Sequence, residues 1–138
     1  KAIEIMLAKA ASSSEIRFTT QVDDPDGILS PEMRIHVYRI VQEAVNNVLK
    51  HSSATEAKIS IMRVYPGMKI QITDNGRGFA TGIDGHPRGF GLDGMAERTR
   101  MLGGRLSVES EPGRGTLIHV SLPRPPMSAG RPGRSITI

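Results

Sequence analysis

Two short alternating runs, Ala57 to Val64 and Met68 to Asp74, constrain this chain more than any other feature. Tyr65-Pro66-Gly67 separates them, and proline next to glycine predicts a tight turn, so the runs should pair as antiparallel strands. Side chains alternate along a strand, which puts Met68, Ile70, Ile72 and Asp74 on one face. Such an apolar row must be covered by a second layer. The row also ends in a carboxylate, which is costly to bury without a partner.

The rest of the chain supplies the cover. Residues 2–11 read as a short helix stopped by Ser12-Ser13-Ser14, and residues 15–22 alternate as a strand. Asp23 to Gly27 has the composition of a loop. Ser30-Pro31-Glu32 predicts a helix start, with an N-cap, a first-turn proline and an acid near the positive end. That helix should run to about His51, with Val37, Val41, Ala44, Val45 and Val48 as its core face. A second predicted helix covers residues 91–102 and is ended by Gly103-Gly104. Residues 105–110 and 115–122 should form two strands around "EPGRG", with Thr116, Ile118, Val120 and Leu122 on one face. The predicted class is an α+β two-layer sandwich, with a mixed, mostly antiparallel sheet and helices packed on one face.

With 138 residues there is room for one such domain and too little for two. Residues 1–123 are read as that domain and 124–138, rich in Pro, Gly, Ser and Arg, as a flexible basic tail. The tail weakens the case for nucleic acid. Of the net charge of +4, three positive charges are Arg124, Arg131 and Arg134, which leaves +1 for residues 1–123. Aromatics make up only 4%, so stacking platforms for single strands are scarce. The absence of cysteine excludes disulfides and thiolate metal sites. No apolar run approaches membrane-spanning length and the first residues lack a signal-peptide pattern. A cytoplasmic domain without direct membrane contact is expected.

Three stretches carry candidate chemistry. Asp74-Asn75-Gly76 could be a plain turn with Asp74 capping it. However, Asn75 to Phe90 shows no periodicity and holds Gly76, Gly78, Gly82, Gly85 and Gly89, so no second strand follows as a hairpin would need. In the alternative, Asp74 and Thr116 both point into the apolar layer and read the edge of a flat, polar-rimmed ring. The long helix carries Arg39, Glu43, Asn46, Asn47 and Lys50 off its core face, with Glu43 and Asn47 one turn apart. This is either a solvated face or an amide oxygen for Mg²⁺, which takes few protein ligands beside phosphate and water. Lys50 and His51 end the same helix, where cations could meet phosphate. Finally, Gly89 and Gly91 precede the second helix, offering bare N–H groups and a positive helix end to phosphate. "GFGLDG" lacks the preceding strand of a dinucleotide fingerprint, and no G-x-x-x-x-G-K-[ST] occurs.

In this order, "YRIVQEAVNNVLKHS", "DNGRGF", "GFGLDGMAERTRMLGG" and "GRGTLIHVSLP" resemble the N box and glycine boxes of the ATP-binding domain of bacterial sensor histidine kinases. These belong to the Bergerat (GHKL) ATPase superfamily, and the nitrate-sensor and DesK-like branch is the most similar. The likeness covers about residues 1–123. It implies that Asn47 ligates Mg²⁺, with Glu43 beside it at the acidic position of the N box and Lys50 and His51 near the phosphates. It further implies that Asp74 accepts a hydrogen bond from the adenine amine, with Thr116 close by. Gly76, Gly78 and Phe79 would lie along the nucleotide, Gly89 and Gly91 along the phosphates, and Leu92 would anchor the helix behind them. Residues 79–90 would form a lid.

A complete kinase of this kind carries its phospho-accepting histidine on a separate dimerising hairpin. His36, His51, His86 and His119 have no such context, and His36 reads as a packing or surface residue. The expectation is therefore an excised ATP-binding catalytic domain, with ATP and Mg²⁺ as ligands. Its partners would be its own dimerisation domain and, through the full kinase, a response regulator. Rival readings are an anti-sigma-factor-like serine kinase, a regulatory nucleotide-binding module without catalysis, and a basic scaffold acting through the tail.

Overall fold

A computed structural model of the chain describes residues 2–23, 29–64, 66–78 and 91–123. The expected lid and tail, together with Phe79 and Gly89, lie outside the described residues. Helix α1 spans Ala2–Ser12, strand β1 Arg17–Val22 and helix α2 Pro31–Asn47. Strands β2 (Glu56–Val64) and β3 (Gly67–Asp74) follow, then helix α3 (Leu92–Met101) and strands β4 (Arg105–Ser110) and β5 (Thr116–Leu122).

The five strands form one sheet in the order β1-β2-β3-β5-β4. β2 pairs with β3 in antiparallel register, as the Pro-Gly junction predicts, and β5 joins β3 and β4 in the same sense. β1 pairs with β2 in parallel, the single parallel ladder of the sheet, because α2 carries the chain back before β2 begins. The sheet is mixed and mostly antiparallel. Its period of two holds: Ala57, Ile59, Ile61, Met68, Ile70, Ile72, Ile118, Val120 and Leu122 are all buried on one side. The three helices bury Leu7, Ala10, Val37, Ile40, Val41, Ala44, Val45, Leu92 and Met95 against that side, forming one apolar cluster. Each fully covered Ile or Leu contributes about 1.5–3 kcal/mol to such a core. On the opposite face, Lys58, Lys69, Gln71 and Ser107 are exposed.

Local signals set the helix ends. Ser30 Oγ accepts the Met33 N–H at 3.2 Å, with Pro31 at the first helical position. α3 closes with Gly103 at φ +73°, the Gly103 N–H on the Arg100 carbonyl and the Gly104 N–H on the Thr99 carbonyl, both at 2.9 Å. That pair of bonds is a Schellman stop, which needs a residue tolerant of positive φ. α2 differs from expectation at its end. It leaves α-geometry at Asn47 and continues as a π-helical turn, Val48–Ser52, before Ser53 adopts a left-handed conformation. Such turns widen the backbone spacing by one residue and recur at functional sites.

Candidate functional site

The π turn and the ends of β3 and β5 meet at one end of the sandwich. Register places Asp74 directly opposite Thr116, both on the inward face. A cleft open to solvent lies between this pair and the end of α2, lined by Ala44, Asn47, Val48, His51, Ser52, Ile72, Asp74, Gly78, Thr116 and Ile118. Asn47, His51, Asp74, Gly78 and Thr116, drawn from three separate stretches of sequence, therefore share one wall of polar groups above an apolar floor. Lys50 is exposed on the π turn, and Leu92 is buried in the core beneath α3.

Asp74 caps its own turn and also faces the cleft. Its Oδ1 accepts the Gly76 N–H at 2.8 Å. It also lines the cleft half-buried, and burial pushes its carboxyl above the ordinary value while the Gly76 hydrogen bond pulls the other way. Thr116 is oriented from behind, its hydroxyl 2.9 Å from Ser110 Oγ, which also reaches the Gly115 carbonyl at 3.0 Å. His36 stands apart from the cleft. Its Nδ1 lies 3.1 Å from Arg98 Nη1, so it ties α2 to α3.

Residues beyond the motif assignments hold the site in shape. Asn75 Oδ1 accepts the N–H groups of Thr55 and Glu56, both at 3.0 Å, and its Nδ2 donates to Thr55 Oγ1 at 2.9 Å. This pins the exit of β3 to the entrance of β2. Arg77 donates from Nε to the His51 carbonyl and from its backbone to the Ser52 carbonyl, each at 2.7 Å, placing a cation on the carbonyl end of the π turn. Ser52 Oγ donates to the Val48 carbonyl at 2.6 Å.

Two motif glycines have reasons internal to the protein. Gly76 is buried under the π turn, where any Cβ would collide with the Ser52 carbonyl. Gly78, at φ +63°, passes the Glu111 carbonyl with no room for a side chain.

A cleft with one carboxylate, two hydroxyls, an amide and an imidazole over an aliphatic floor suits a flat heteroaromatic ring with a polar appendage. A family model described as histidine kinase-, DNA gyrase B- and HSP90-like ATPase matches residues 32–126. The chain belongs to that family.

Within this ATPase family the chain resembles sensor kinases. It is 33% identical over 111 residues to the signal transduction histidine-protein kinase/phosphatase DegS of Bacillus subtilis, covering 79% of this chain and 29% of that protein. It is 34% identical over 122 residues to the nitrate/nitrite sensor protein NarQ of Escherichia coli, covering 87% and 21%. The chain thus spans less than a third of either relative.

Among solved structures, the ATP-binding domain of PrrB from Mycobacterium tuberculosis matches with a TM-score of 0.66 at 26% identity, covering 86% of this chain and 88% of that one. The histidine kinase domain of the blue-light activated kinase of Erythrobacter litoralis shares the fold with a TM-score of 0.76 at 17% identity, covering 88% and 59%. The chain is an ATPase domain of the sensor-kinase type, and ATP is its substrate. Among the described residues no helix is long and apolar enough to cross a membrane.

Proposed function

We propose that this domain, residues 1–123, holds ATP with Mg²⁺ and presents the γ-phosphate to a histidine on a separate dimerisation domain, with residues 124–138 as an appended basic segment. The observation that carries the reading is the convergence of Asn47, His51, Asp74, Gly78 and Thr116 on one cleft. Asp74, as a carboxylate, accepts a hydrogen bond from the adenine exocyclic amine, and the Thr116 hydroxyl lies beside it. Ala44, Val48, Ile72 and Ile118 supply the apolar contact for the ring faces. Gly76, Gly78 and Phe79 follow the nucleotide. His51 and Lys50, at the end of the π turn, and Gly89 and Gly91, ahead of α3, meet the phosphates. Leu92, buried at the start of α3, anchors that helix.

The Asn47 amide oxygen fits a hard cation of small coordination demand. Among the described residues no three acid or histidine side chains converge to form a protein cage, so an ion here takes its remaining ligands from phosphate and water. Asn47 would hold Mg²⁺, with Glu43 one turn away. When bound, Mg²⁺ neutralises charge on the phosphates. The chain's own residues orient the adenine, hold the phosphate chain against α3 and keep the terminal phosphorus accessible. In the transfer, the imidazole nitrogen forms a bond to that phosphorus in line with the departing ADP oxygen, so catalysis here is positioning and charge neutralisation. The phosphorylated histidine would then serve a response regulator. Dependence on ATP sets such a domain in the cytoplasm.

Mixing the chain with a dimerising hairpin that carries the acceptor histidine, plus γ-labelled ATP, tests the reading. Acid-labile, alkali-stable label on the hairpin is expected, and its loss in Asn47→Ala. Label on serine instead would overturn the histidine assignment.

A further inference from the structure

Glu43 sits one turn before Asn47 on α2, yet it does not line the cleft. Its side chain lies across Gly91, the N-cap residue of α3. A Cβ built on Gly91 would collide with Glu43 Oε1 and Cδ and come within 2.6 Å of its Cγ. Glu43 forms no hydrogen bond or ion pair among the described residues. Gly91 is exposed, stands at φ +70° and provides no side-chain cap to α3. The first-turn N–H groups of a helix are orphan donors, and that end of the helix carries partial positive charge. A half-buried carboxylate is therefore resting at the N-terminal, positive end of a ten-residue helix.

The same helix end is the place the phosphates need under the function proposed above. A carboxylate and a phosphate a few ångströms apart repel unless a cation lies between them. We propose that Glu43 is a positioning residue that gates the α3 end. Without nucleotide it covers Gly91. Arriving phosphates displace it, and Mg²⁺ offsets its charge. Glycine at 91 is favoured by the positive φ and leaves the space that the Glu43 side chain occupies. The packing contact stands on geometry alone, while the gating rests on the nucleotide reading.

The test compares wild type, Glu43→Gln and Glu43→Ala by calorimetric titration with ADP, with and without Mg²⁺, alongside amide hydrogen exchange of the nucleotide-free protein. Glu43→Gln keeps the shape and removes the charge. Both variants should bind ADP about three- to fivefold more tightly without Mg²⁺, and the gain from adding Mg²⁺ should shrink by a similar factor. Only Glu43→Ala should also speed exchange in the first turn of α3. Mg²⁺-free affinity that is unchanged or weaker in both variants overturns the gate. If folded wild type binds no ADP under either condition, the nucleotide reading fails and takes the gate with it. Faster α3 exchange in Glu43→Ala would then support the packing contact alone.

Discussion

Replacing Asn75 with alanine should destabilise the domain without touching the cleft wall. The side chain makes three hydrogen bonds, accepting from Thr55 N–H and Glu56 N–H and donating to Thr55 Oγ1. A net intramolecular hydrogen bond is worth roughly 0.5–1.5 kcal/mol. All three partners are near the surface, so water re-solvates them after truncation, and the low end of the range applies to each. The expected loss is about 1.5–2 kcal/mol. For a domain of this size that lowers Tm by about 5–8 °C. Urea unfolding should show a lower midpoint with an unchanged slope. Asn75→Asp is the control: it keeps the oxygen that serves both amides, and Thr55 Oγ1 can rotate to donate to it, so it should cost less than half as much. Equal stability of Asn75→Ala and wild type, or equal losses in both variants, would refute the clamp.

Three further outcomes follow from single sites. Ser30→Ala should cost about 1 kcal/mol through the lost cap on Met33 N–H, and Ser30→Gly only a few tenths, by urea midpoint. Gly76→Ala should cost about 1–3 kcal/mol, because Cβ meets the Ser52 carbonyl, and should weaken nucleotide binding as Ser52 shifts in the cleft wall. Asp74→Asn should not destabilise. Burial raises the Asp74 carboxyl, so the folded state binds protons more readily than the unfolded chain, and stability falls as pH rises through the raised value. The amide removes that cost and keeps an oxygen for Gly76 N–H. At neutral pH the variant should match or exceed wild type in urea midpoint, with the difference closing on acidification; a less stable variant at neutral pH contradicts this.

What could be read from the sequence was what depends on near neighbours. The Pro-Gly junction foretold the β2–β3 hairpin, Ser30-Pro31 the start of α2, and Gly103-Gly104 the end of α3. Alternation foretold the inward row ending at Asp74 and its counterpart through Thr116, and the register sets the two opposite each other. The parts that were not legible depend on residues far apart in the chain. No turn signal links β1 to β2, since α2 lies between them, so their parallel pairing carries no local mark. The π turn at Val48–Ser52 is tied down by Arg77, some 25 positions later, and nothing in "VLKHS" announces it. Asn75 looked like half of a turn dipeptide, but it is the clamp between two strands. Gly76 looked like room for a ligand, and the protein's own Ser52 carbonyl already demands a glycine there.

The most direct test of the account is a calorimetric titration of the chain with ADP and a non-hydrolysable ATP analogue, with and without Mg²⁺, beside Asp74→Asn. The account predicts binding by wild type that Mg²⁺ strengthens, and its loss in a variant that remains folded. Equal affinity in the two proteins would contradict the assignment of Asp74 to the adenine amine, and no binding by folded wild type would contradict the cleft as the nucleotide site.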